Sequence, residues 1–141
     1  MKNKLLIMML ISALAISGIG GMTLTARAAN TADRAFSFDN RNSSGYSTWR
    51  DKNNATKVYV YPTAGPKIYY TVYGRKDTVS SGNKRSNKVA IPLGVQGSIT
   101  NQVNENSGIQ ACLKYDRITT AYVATSGVWS PDSTKNYTVY N

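Results

Sequence analysis

The chain has no histidine, one cysteine, two phenylalanines, and seven acidic residues against seventeen lysines and arginines. Each shortage excludes chemistry. Without histidine there can be no Ser-His-Asp or Cys-His nucleophile, and the commonest metal ligand is missing. Cys112 alone cannot close an intramolecular disulfide, and one thiol with scattered carboxylates does not make a zinc site. It lies in the strand-like Gln110-Ala-Cys-Leu-Lys-Tyr115, where a small buried hydrophobe is the better reading. The acids are Asp33, Asp39, Asp51, Asp77, Glu105, Asp116 and Asp132. All sit among turn formers or polar neighbours, where local hydrogen bonding explains them better than a glycosidase carboxylate pair. There is no glycine-rich phosphate loop or EF-hand pattern. The expectation is a protein without catalysis, and no catalytic, cofactor-binding or metal-ligating residue is nominated.

What is present begins with an export signal. Lys2 and Lys4 precede a nearly unbroken apolar run from Leu5 to Ile16, followed by Gly18, Gly20 and Gly21 and then Ala26-Arg27-Ala28. Signal peptidase takes small side chains at −3 and −1, and Ala26 and Ala28 supply them. Residues 1–28 therefore read as a cleavable signal peptide, helical in its apolar part, with residues 29–141 as one β-rich mature domain. An uncleaved anchor is the rival reading, but the run is shorter than the roughly 20 residues a spanning helix needs. No second such run follows, so the mature chain is expected to have no transmembrane segment and to be secreted.

Lys2, Lys4 and Arg27 are the only charged residues of the leader, so the formal net charge of +10 less these three leaves +7 on residues 29–141. A secreted basic protein suits anionic cell-wall polymers or lipid headgroups. The same charge also serves solubility. Nucleic acid is not an expected partner, because it belongs to another compartment.

The mature chain alternates with the period of strands. Ala35–Phe38 is a short first strand, and Asn40–Gly45 is a run of turn formers. Thr56–Tyr61 and Lys67–Tyr73 are rich in β-branched and aromatic residues, and Pro62-Thr-Ala-Gly-Pro66 between them has the length of a hairpin loop. That predicts a β-hairpin with Val58, Val60, Ile68, Tyr70 and Val72 on a core face. Tyr59, Tyr61, Tyr69 and Tyr73 then share the opposite face, a candidate surface for sugar rings or a bilayer interface. Packing beneath a second sheet is the plainer alternative. Thr78–Asn87 reads as a loop, Val89–Leu93 as an edge strand and Gly97–Val103 as a further strand. Ile109–Tyr115 and Ile118–Thr125 read as a second hairpin turning at Asp116-Arg117, and Tyr137–Tyr140 as a last strand. No apolar pattern at helical spacing persists after the leader. The fold class predicted is all-β, a single small antiparallel sandwich or partly open barrel.

The most distinctive motif is Gly127-Val-Trp-Ser-Pro-Asp-Ser133. Ser130, Pro131, Asp132 and Ser133 fit a type I turn, and Trp129 is placed to plug one end of a sandwich. With Trp49-Arg-Asp-Lys-Asn-Asn-Ala-Thr-Lys-Val-Tyr-Val60, and Val103-Asn-Glu-Asn106 with Ala111 and Leu113, it carries a resemblance over most of the mature chain. The chain resembles a family of small secreted proteins of Gram-positive bacteria classed as a domain of unknown function. The resemblance implies an exported β-rich domain and supplies no activity or site residues. Lactococcin-type bacteriocins offer a class analogy without a motif match. The functional expectation is non-catalytic binding at the cell envelope, with cell-wall association. A bacteriocin-like antimicrobial or signalling protein is the alternative.

Overall fold

The computed structural model describes residues 27–141. Residues 1–26 of the expected signal peptide, with its expected cleavage residue Ala26, lie outside the described residues; Ala28 lies inside and is exposed. Among the described residues, eleven strands and one short 3-10 turn at Asn104–Asn106 make up the regular structure. The strands are β1 (Arg34–Phe38), β2 (Ser44–Tyr46), β3 (Arg50–Asp51), β4 (Val58–Ala64), β5 (Ile68–Arg75) and β6 (Asn83–Lys84). They continue with β7 (Val89–Ala90), β8 (Gly97–Ile99), β9 (Gln110–Arg117), β10 (Thr125–Ser130) and β11 (Thr138–Tyr140).

Two sheets face each other, and neither closes into a barrel. The first runs β1-β10-β4-β8-β11, antiparallel except for the parallel β11–β8 pair. The second is built on the long β5–β9 pair, with β2 and β3 beside β9 and β6 and β7 beside β5. The alternation read from the sequence places the core correctly. Val58, Val60, Ile68, Tyr70 and Val72 are all fully buried, together with Phe36, Phe38, Ile99, Leu113, Tyr115 and Trp129. Phe38 stacks on Tyr115 across the two sheets, with ring centroids 4.5 Å apart.

The two expected hairpins do not form. β4 pairs with β10 and β8, whereas β5 pairs with β9. The connection, shortened to residues 65–67 because β4 runs on through Pro62 to Ala64, therefore carries the chain from one sheet to the other. Likewise β9 and β10 belong to different sheets, and residues 118–124 between them are an exposed crossover instead of a strand. The reason is geometric. A hairpin and a crossover between facing sheets both bury alternate residues of two successive strands, so alternation cannot tell them apart. At the first corner Gly65 adopts φ 90°, and a Cβ there would lie 2.1 Å from the carbonyl oxygen of Ala124. Only glycine fits that corner.

Candidate functional site

Two polar clusters stand out, one closed and one open. The closed cluster joins the Trp49–Val60 and Gly127–Ser133 motifs. The Lys52 and Asp132 side chains are both wholly buried, with Nζ 2.9 Å from Oδ1. Nζ also donates to the carbonyls of Thr56 (2.6 Å) and Pro131 (2.8 Å), so all three ammonium hydrogens are used. The other carboxylate oxygen accepts from the backbone N–H groups of Asn30 (2.7 Å) and Asn53 (2.9 Å). Burial pulls the Lys52 pKa below the usual lysine value, with the bond to Asp132 acting against that.

The partners of Asp132 are distant in sequence, where the sequence predicts a turn residue with local hydrogen bonds. The backbone bends at Pro131, but Ser133 N–H donates to Thr56 Oγ1 instead of closing a type I turn. Ser130 Oγ donates to the Asp132 carbonyl. Trp129 is buried in the core, and Arg50 donates to its carbonyl while lying over its ring. With three ammonium donors and a carboxylate satisfied internally, the arrangement is a latch and offers nothing to a substrate.

The open cluster is the outer face of the second sheet. Directly paired residues share a face. Tyr69 is opposite Asp116, Thr71 opposite Lys114, and Tyr73 opposite Cys112 and Lys84, while Tyr46 on β2 is opposite Lys114. Tyr46 is 54 % and Tyr69 37 % exposed. Tyr46 meets Tyr73 edge-on at 5.4 Å, and Lys88 Nζ lies 5.6 Å from the Tyr69 ring centroid. Asp116 is the one carboxylate in this group and is shared by Lys114 (2.7 Å) and Lys88 (3.1 Å). The bond to Asp116 holds the Lys114 pKa above the usual lysine value. At the end of the face Arg75 lies 4.4 Å from the Trp49 ring and donates to Gln110. Beside β6 a polar cleft of about 320 Å³ is lined by Lys84, Arg85, Ser86, Asn87, Asn101 and Gln102, among others.

The four nominated tyrosines therefore do not form one surface. Tyr69 and Tyr73 lie on this face. Tyr59 and Tyr61 belong to β4, in the other sheet, and point away on the opposite side of the molecule. Tyr59 is only 5 % exposed, because Tyr137 covers its ring at 4.6 Å. Desolvation pushes its hydroxyl up to about 12. Sequence reasoning missed Tyr46, Lys88 and Lys114. The Lys114 position could have been read from the alternation of Ala111, Leu113 and Tyr115 against Cys112, Lys114 and Asp116. Cys112 is fully buried and unpaired, and burial pushes its thiol up to about 12, which removes it as a nucleophile at neutral pH. Among the described residues, no helix is long and apolar enough to cross a membrane.

Fold and latch together define a small two-sheet β-sandwich locked by a buried Lys–Asp pair. Within that class the chain belongs to the family described as protein of unknown function (DUF2712), whose model matches residues 23–133 and so includes both latch residues and the tyrosine–lysine face. No curated protein and no solved structure matches the chain.

Proposed function

We propose that the protein is exported and, without catalysis, binds an anionic polymer of the cell envelope through the outer face of the second sheet. One observation carries this reading: Lys84, Lys88 and Lys114 share an open sheet face with Tyr46, Tyr69 and Tyr73, against the single carboxylate of Asp116. Lysines there attract repeating phosphates or carboxylates, and tyrosine rings supply contact area with wet hydroxyls. The two terms respond differently to salt. The Debye length falls from about 10 Å at 0.1 M to about 3 Å at 1 M, which screens the lysines and not the rings.

The test is sedimentation of residues 29–141 with purified Gram-positive walls, with and without teichoic acid. Wild type should pellet at low salt and partly at high salt. Tyr69→Ser with Tyr73→Ser should lose the salt-resistant part, and Lys84→Gln with Lys88→Gln the salt-sensitive part. Removal of teichoic acid should act like the lysine changes. Wild type that stays in the supernatant at low salt overturns the proposal.

A further inference from the structure

Three of the six chain crossovers between the sheets among the described residues lie together at one end of the sandwich: residues 39–43 after β1, 65–67 after β4 and 118–124 after β9. They are bonded to one another. Asn40 Nδ2 donates to the Val123 carbonyl and to Thr125 Oγ1, Thr125 Oγ1 donates to the Pro66 carbonyl, and Arg117 Nη1 donates to the Asn40 carbonyl. This end is a braced platform.

What the platform displays is unusual for a surface loop. Ile118-Thr-Thr-Ala-Tyr-Val-Ala124 has no charge and no glycine, proline, asparagine or aspartate. Connections normally use those residues because they accept turn geometry and hydrate well. Here Ile118, Tyr122 and Val123 are 41 %, 64 % and 66 % exposed. Around them stand Arg41 and Lys67, both exposed, and Arg117, whose guanidinium lies 5.3 Å from the Tyr122 ring centroid. The nearby acids are already engaged, Asp39 by Arg41 at 3.6 Å and Asp116 by two lysines.

We infer that this end of the sandwich docks on an anionic lipid bilayer, with Tyr122 and Val123 in the interface and Arg41, Lys67 and Arg117 at the level of the phosphates. The projecting aliphatic groups give a hydrated polyanion nothing to bind, whereas a bilayer removes them from water. Tyrosine suits the headgroup layer, with its ring buried and its hydroxyl wet. With Asp39 offsetting one of its three cations, this end still carries a net positive charge, and a second copy of the same end would set like charge against like, so self-association through the tip is disfavoured. The surface is separate from the tyrosine–lysine face, and the inference does not depend on that face binding a polymer.

Residues 29–141 contain every strand and core residue described above and are the fragment to use, which keeps the apolar run 5–16 out of the assay. The probe is vesicles of phosphatidylcholine alone or mixed with phosphatidylglycerol, with sedimentation as the readout. Wild type should sediment with the mixed vesicles and not with the neutral ones. Tyr122→Ser with Val123→Ser should lower the partition coefficient at least about tenfold. Arg41→Gln with Lys67→Gln should lower it about fivefold per residue at low salt. Tyr69→Ser with Tyr73→Ser should leave it unchanged. Should the serine pair perturb folding, Tyr122→Trp reads the same contact, as a blue-shifted emission that appears only with mixed vesicles. The proposal fails if wild type ignores mixed vesicles at low salt, or if the folded serine pair binds as wild type does. It also fails if the sheet-face variant is the one that loses binding, or if Tyr122→Trp shifts in a dimer without lipid.

Discussion

Lys52–Asp132 and Lys114–Asp116 are the same ion pair in two settings. Their N···O separations are similar, 2.9 and 2.7 Å. The first pair has both side chains at 0 % exposure, and the second has 21 % and 19 %. The lysine pKa moves down in the first, where desolvation dominates, and up in the second, where the bond to Asp116 dominates. A short distance therefore says little about what a pair does. The buried pair has every donor assigned and makes a rigid joint between segments 80 positions apart. The open pair keeps two lysines beside exposed rings, and these groups remain free to meet a partner.

The largest test of this contrast breaks the buried pair. Asp132→Ala leaves the Lys52 ammonium buried without its counter-charge and takes the acceptor from Asn30 and Asn53. Removal of one partner of such a pair costs about 3–5 kcal/mol. Urea unfolding should show a lowered midpoint of that size, or no folded protein at all. Lys52→Met with Asp132→Leu should recover much of the loss, because no charge is then left buried. If Asp132→Ala unfolds like wild type, the latch does not hold the fold.

A smaller effect is expected at Gly127, on the strand that carries the latch motif. A Cβ there would sit 2.1 Å from the Tyr61 carbonyl oxygen, beside the register shift where β10 meets β4. Gly127→Ala must push two bonded strands apart, and strain of this kind costs about 1–3 kcal/mol. Thermal unfolding with circular dichroism should read it. An unchanged midpoint would mean the bulge relaxes freely.

These regions differ in how far the sequence discloses them. Period-two alternation found the inward residues of β4 and β5, because burial acts residue by residue along a strand. It could not say which sheet each strand joins, since that depends on partners far along the chain. The four-tyrosine face was lost for this reason. Tyr46 sits in Ser44-Gly-Tyr46, a three-residue strand embedded in turn formers, and it gains its place only from pairing with Lys114. The latch was hidden differently. Its halves lie in two of the three segments that carry the family resemblance, yet Pro131-Asp132-Ser133 has the composition of a solvated turn. Nothing local signals that Lys52 comes to meet it.

The finest test concerns the open pair. Asp116→Asn removes the carboxylate shared by Lys88 and Lys114. Exposed pairs contribute about 0–1 kcal/mol, so urea unfolding at neutral pH should shift by less than about 1 kcal/mol. Although its partial burial acts to raise it, the Asp116 pKa stays below the usual carboxylate value, because the hydrogen bonds and charges of Lys114 and Lys88 outweigh the burial. A depressed carboxylate stabilises the fold above its unfolded pKa, and that share is lost as pH falls through the folded value. The wild type should therefore carry a shallow acid-side loss of stability that Asp116→Asn lacks. Binding should move the other way. With the carboxylate gone, both ammonium groups turn to solvent, and the face has three lysines and no acid. Polyanion binding at low salt should tighten, and the gain should vanish at high salt, where screening removes it. Stability nearly unchanged with affinity raised would show that the pair is kept for a surface role. A loss of several kcal/mol would instead place it with Lys52–Asp132 as a structural joint, and the contrast between the two pairs would collapse.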